Sequence, residues 1–332
     1  MTEEATALRG TAVAAGVDDA VRPQAVPDAV GLRSAGYILL ASMAAMTLAA
    51  RSSAAIAACS AAIAAYFYWR LRRERAAPFA RVSAQEVGRA ISTQMLSLVF
   101  MFVLFAAFRT YLAVMLGADD GAAAAAAPFG RLLPTPPGAS VGGLQVLNAC
   151  LLIPLSEELL FRGYLLRRFR SLGTGVAIGL TAALFAALHP AGTQQIFALA
   201  CGLLWGANAV ANESLVPCTA AHILSNGAML LIVQSGVANT LSNRIAEGPS
   251  ARVALALLLV AAAACFFLQR SRFRELRGRS AAEAGILLPP GETLRIVLHW
   301  PILLILAVGT SLFSLTLFHM LTMPLAMRLY AL

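Results

Sequence analysis

The residues with chemistry to offer begin at Ser156-Glu157-Glu158-Leu159-Leu160-Phe161-Arg162, two carboxylates and a guanidinium closing the apolar run 141–155. A charged side chain near a bilayer centre costs at least about 2.5–3.5 kcal/mol, so such groups usually face a cavity and serve a purpose there. On a helix Glu158 and Arg162 are four apart on one face, acid before base, the better order for an ion pair. Glu157 lies about 100° round the helix from its neighbour. The spacing therefore predicts one paired carboxylate and one free one. Two of the four histidines belong to the same stretch of chain: His189 in Phe185-Ala186-Ala187-Leu188-His189, and His222 in His222-Ile223-Leu224-Ser225-Asn226. Phe185 shares a helix face with His189, and His222 with Asn226. A lone intramembrane histidine is ordinarily a hydrogen-bonded packing residue. Three polar elements between residues 157 and 226 reverse that reading, because burying several polar groups without a use is expensive. A free carboxylate in such a run can serve as a general base. Glu157, His189 and His222 are also ligands that catalytic zinc accepts, although no HExxH pattern is present.

These groups need elements that hold them in an apolar medium, and the composition supplies those. The 332 residues are 59% hydrophobic and 12% charged, with a mean hydropathy of +0.76. Soluble domains carry about 25% charged residues, so the chain reads as an integral membrane protein. The formal charge of +9 comes from 25 basic residues, every one an arginine. They cluster at the ends of apolar spans, as topology signals do. No basic face with aromatics is apparent, which argues against a nucleic-acid partner. Cys59, Cys150, Cys201, Cys218 and Cys265 all lie in apolar runs without a CxxC pair and read as buried inert thiols. Residues 1–33 do not resemble a cleavable signal peptide and read as a disordered cytoplasmic tail.

A membrane span needs about 17–25 mostly apolar residues. Segments 34–50 and 52–69 are two short candidates, read as a hairpin, followed by a cytoplasmic loop with Arg70, Arg72, Arg73, Arg75, Arg81 and Arg89. Segment 91–116 is a span in which Arg109 snorkels to the interface, and 117–140 is an external loop. Segment 141–166 returns inward, kinked near Pro154, to Arg167, Arg168 and Arg170. Then come 173–189, 193–211 and 215–233, an external loop 234–250, a crossing 252–269 to the basic cluster Arg270–Arg279, and a last span 294–318. The expected fold is all-α: a polytopic transmembrane helix bundle of nine spans, with eight as the alternative and the catalytic site inside. Every basic cluster then falls on one side, with the N-terminus cytoplasmic in a cell membrane. The chain divides into a tail 1–33, N-terminal spans and a loop 34–140, a catalytic core 141–233 and C-terminal spans 234–332. Counted from the presumed cytoplasmic ends, Glu157 and His222 come out about 15 Å deep and His189 about 24 Å, so convergence requires tilt or a later helix start. His299, just before Trp300-Pro301, is expected to satisfy backbone groups that the proline frees, His319 lies near a membrane interface and Glu213 reads as a solvated turn residue; none of the three receives a role in the site.

Glu157-Glu158-x-x-x-Arg162, Phe185-x-x-x-His189 and His222-x-x-x-Asn226 resemble, in order and residue type, the three motifs of the CAAX protease and bacteriocin-processing (CPBP, or Abi) family, that of the type II prenyl-protein endopeptidase. The resemblance covers residues 141–233. It implies an intramembrane endopeptidase in which Glu157, with His189, activates water for attack on a peptide carbonyl. His222 and Asn226 would stabilise the oxyanion. The helix spacing agrees, since it pairs Glu158 with Arg162 and leaves Glu157 free. No cofactor is expected, with zinc held by Glu157, His189 and His222 as the rival chemistry. The partners are the lipid bilayer and a membrane-associated protein or peptide. The Ala- and Arg-rich composition suggests a bacterial source, where an anchored precursor fits better than a prenylated C-terminus. Two other classes stand beside this one: a non-proteolytic scaffold or immunity protein of the same fold, and a transporter or proton relay, for which the expected inverted repeats are missing.

Overall fold

The computed structural model describes residues 29–50, 52–95, 97–99, 141–189, 192–235 and 290–311, together with isolated positions between 253 and 274 and residue 314. Among these residues the regular structure is helical throughout: α1 (Ala29–Ala49), α2 (Ser53–Arg73), α3 (84–95), α4 (Gly143–Leu172), α5 (Thr174–Ala187), α6 (Gly192–Asn212), α7 (Val216–Gln234), α8 (Pro290–Val297) and α9 (Trp300–Ser311). Among the described residues, three helices are long and apolar enough to cross a membrane: Ser53–Arg73, Gly143–Leu172 and Gln194–Asn212. Four shorter apolar helices accompany them. Residues 1–28 of the expected tail, the expected loop 117–140, residues 236–250 of the second expected loop, most of the spans 91–116 and 252–269, the cluster Arg270–Arg279 apart from isolated positions, and Arg109, Cys265 and His319 lie outside the described residues, while 29–33 of the expected tail are helical.

The break at residues 50–52 makes α1 and α2 separate helices that pack together, as the short Arg-Ser-Ser link implies. Ser52 starts α2 by accepting the Ala55 N–H on its hydroxyl at 3.4 Å. α4 runs to Leu172, six residues past the expected end, because its last turns carry arginines that are good helix formers. Its 30 residues span about 45 Å, more than a hydrocarbon core of about 30 Å.

Two stretches of α4 are π-helical, Asn148–Leu152 and Leu159–Leu165. The expected disturbance at Pro154 takes this form. Ile153 N–H bonds to the Asn148 carbonyl, five residues back. In that register the Ala149 carbonyl looks to residue 154, and proline has no N–H to give. One backbone acceptor is thus left open on the inner side of α4.

α5 ends at Ala187, two residues before the expected 189, because a residue preceding proline is disfavoured in the α region and Pro190 follows His189. α5 and α6 pack along their length. Gly202 makes this possible: a Cβ there would sit 2.9 Å from Ala182 Cα. At the basic end, Arg168 of α4 pairs with Glu74 after α2, and Arg170 pairs with Glu213 after α6 at 2.9 Å. Glu213, expected to be a merely solvated turn residue, is thus an ion-pair partner. The first two arginine clusters therefore lie at one end of the bundle.

Candidate active site

Glu158 is the centre of the site and is fully buried. Its Oε1 accepts from Arg162 Nη1 at 2.9 Å, the i,i+4 pair that the spacing predicts. The same oxygen accepts from His222 Nδ1 of α7, also at 2.9 Å. Because Oε1 already takes the guanidinium N–H, the imidazole donates Nδ1–H and its Nε2 is left to face elsewhere. What it faces is Glu157: Nε2 to Oε2 is 3.6 Å, just beyond hydrogen-bond length. The adjacent carboxylates, about 100° apart on the helix, thus approach opposite nitrogens of one ring. Glu157 keeps 28% of its side-chain surface exposed, whereas Glu158 keeps none. One carboxylate orients and the other remains reachable.

Arg162 sits in the second π-helical stretch, 2% exposed. Its guanidinium carbon lies 4.4 Å from the Phe185 ring centroid, 5.1 Å from Trp205 and 5.8 Å from Phe161. Ring faces attract a desolvated cation by about 2 kcal/mol or more, which offsets part of the cost of the buried charge.

His189 lies in the turn after α5, and its ring Nδ1–H reaches back 2.9 Å to the Phe185 carbonyl. A neutral imidazole that donates at Nδ1 keeps an acceptor lone pair at Nε2. Its ring is 4.9 Å from Phe185, whose ring is 6.1 Å from that of His222. The difference in depth estimated along the helices is closed by this shared aromatic. Asn226 donates Nδ2–H to the Ala149 carbonyl at 2.9 Å, the acceptor that Pro154 leaves open. One amide N–H is fixed by that bond and the other is aimed by it.

Glu157, Glu158, Arg162 and His222 are thus brought into direct contact or near it, His189 joins through Phe185, and Asn226 joins through α4. Sequence reasoning missed Trp205, which stacks on His222 at 4.0 Å with 25° between planes. It also missed Gln94, whose Oε1 accepts the Trp205 indole N–H at 2.9 Å. A scan for amides as well as carboxylates inside apolar runs would have singled out Gln94; a tryptophan among Leu and Ala gives no such signal. His299 was expected to serve the backbone near Pro301. Only its main-chain carbonyl does so, accepting Ile302 and Leu303 N–H as any helix start would; its ring packs edge-on against Tyr37 at 5.3 Å, and Nδ1 finds no hydrogen-bond partner among the described residues.

Among the described residues, no group of three His, Cys, Asp or Glu side chains is arranged to hold a metal ion. His222 holds Glu158 through Nδ1 and turns Nε2 toward Glu157, 3.6 Å away.

Residues 140–228 match the family model described as type II CAAX prenyl endopeptidase Rce1-like. No curated protein and no solved structure matches the chain. The matched segment spans α4 to α7 up to Ala228, so it takes in both glutamates, Arg162, both histidines and Asn226. Three motifs in order, side chains that meet across separate helices, and this match point the same way: residues 140–228 are similar to the type II CAAX prenyl endopeptidase Rce1-like family, in a chain rich in apolar helices.

Proposed function

We propose that the chain is an intramembrane endopeptidase that hydrolyses a peptide bond of a membrane-associated protein or peptide by glutamate-type chemistry. The observation that carries the reading is the approach of Glu158 Oε1 and Glu157 Oε2 to the two nitrogens of His222, at 2.9 and 3.6 Å, inside the matched segment. Glu157 takes a proton from water, whose second hydrogen is accepted by His189 Nε2. The resulting hydroxide adds to the peptide carbonyl carbon. The oxyanion accepts from His222, protonated at Nε2 and balanced by Glu158, and from the second N–H of Asn226. Glu157 then returns its proton to the amine as the C–N bond breaks, giving an acid and an amine. General bases contribute about 10²–10⁴ in rate and each oxyanion donor about 10²–10³.

The remaining parts of the reading concern setting. The bundle has nine spans, the N-terminus is cytoplasmic and the membrane is the cell membrane, supported by the arginine clusters at span ends. An anchored precursor is the substrate favoured by the composition. The test compares wild type, Glu157→Ala and His189→Ala at equal expression in the host. N- and C-terminal peptide mass spectrometry of membrane and secreted proteins is the readout. New termini that vanish in both variants are expected, and their sequences name the substrate. Identical termini in all three would replace this reading with the scaffold or immunity protein.

A further inference from the structure

We propose that Gln94, outside the family-matched segment, is a positioning residue that fixes the His222 ring through Trp205. Gln94 lies on α3 and is 1% exposed, and both ends of its amide are engaged. Oε1 accepts from Trp205 Nε1 at 2.9 Å; Nε2 donates to Ser225 Oγ at 3.2 Å and to Cys201 Sγ at 3.3 Å. All three partners are buried, at 3% exposure or less. Ser225 is three residues after His222 on α7, so it lies on the same helix face. Gln94 therefore holds α7 directly through Ser225 and holds the ring that stacks on His222 through the indole N–H.

Two contacts then define the imidazole. Trp205 sets its plane, stacked at 4.0 Å. Glu158 sets its rotation by accepting Nδ1–H. With both fixed, Nε2 can only point toward Glu157. An indole free to turn about its own side-chain torsions would stack on His222 but would not hold it at one angle. The Gln94 acceptor removes that freedom, and because it stands on α3 it ties the site to a helix before the matched segment. In this way an element with none of the three motifs decides where a motif nitrogen points.

The inference rests on the site assigned above, and its test has one arm that needs no substrate. The full chain in detergent is labelled with ¹⁵N in the histidine rings, and the His222 signals are assigned with His222→Gln. Wild type is expected to show one His222 ring species, protonated at both Nδ1 and Nε2. Gln94→Leu, and Trp205→Phe, which keeps an aromatic face and loses the N–H, are each expected to give broadened or averaged ring nitrogens for His222. The His189 signals stay in place. Gln94→Met, of similar length, serves if Gln94→Leu does not fold. In the host, the same variants at equal level are expected to slow the appearance of new termini by at least tenfold. An unchanged His222 spectrum in folded Gln94 variants overturns the inference. A changed spectrum in a chain that cleaves nothing, wild type included, upholds the positioning and overturns the protease reading instead.

Discussion

Replacing Arg162 with methionine removes the cation from a buried site, where the arginine is 2% exposed and its partner Glu158 fully buried. Glu158 is fully buried and its carboxylate is held by Arg162 at 2.9 Å and His222 at 2.9 Å. Deleting one partner of a buried ion pair costs about 3–5 kcal/mol, mostly because the other charge is stranded. The lost contacts of the guanidinium with Phe185 and Trp205, at 4.4 and 5.1 Å, act in the same direction. His222 remains beside Glu158 and moderates the loss, so the lower part of the range, about 3 kcal/mol, is expected. That corresponds to a fall in unfolding temperature on the order of 10 °C. The assay is thermal unfolding in detergent followed by intrinsic fluorescence, with Glu158→Gln/Arg162→Met alongside. The double variant neutralises the stranded carboxylate and is expected to recover at least half of the lost stability. Its cleavage stays abolished, because Nδ1 of His222 then faces a neutral amide in place of the carboxylate. An Arg162→Met protein that unfolds at the wild-type temperature would refute the reasoning. So would a double variant less stable than the single one, since the cost would then not lie in the stranded charge.

Glu157→Gln is expected to lower cleavage by about 10²–10⁴ with little change in unfolding temperature, because Glu157 is partly exposed and approaches His222 only to 3.6 Å; quantified termini and thermal unfolding of one preparation check both halves. Pro154→Ala restores an N–H that can bond the Ala149 carbonyl in competition with Asn226. It should cut cleavage by about tenfold or more at unchanged or higher stability, and cleavage kinetics beside the melting curve would detect the split. Gly202→Ala places a Cβ 2.9 Å from Ala182 Cα. The forced separation of α5 and α6 is expected to cost about 1–3 kcal/mol, read by thermal unfolding. Gly309→Ala presses on Ala187 Cα at 2.6 Å, next to the His189 turn that Gln195 bridges to Gly309. It should reduce cleavage more than it reduces stability, measured on the same pair of assays.

What the sequence determined by itself was whatever depends on spacing along one helix and on the cost of polarity in an apolar run. The Glu158–Arg162 pair follows from four-residue spacing, the α1–α2 hairpin from a polar link, and the membrane character from 12% charged residues. The residues worth watching were legible for the same reason: a carboxylate or imidazole in such a run needs a partner or a use. The tertiary structure decided which partners they found. Glu158 was expected to be occupied with Arg162 alone, and the choice of His222 as its second partner depends on how α7 crosses α4, which no spacing encodes. The π-helical stretches arise where packing and Pro154 outweigh the usual four-residue register, and only there does Ala149 become an acceptor for Asn226. His189 was placed on a helix by periodicity, although Pro190 ends the helix before it. Trp205 and Gln94 entered the site through contacts between residues 111 apart in the chain. Local preferences act over a few residues, whereas a catalytic arrangement is made of groups that only folding brings within a few ångströms of one another.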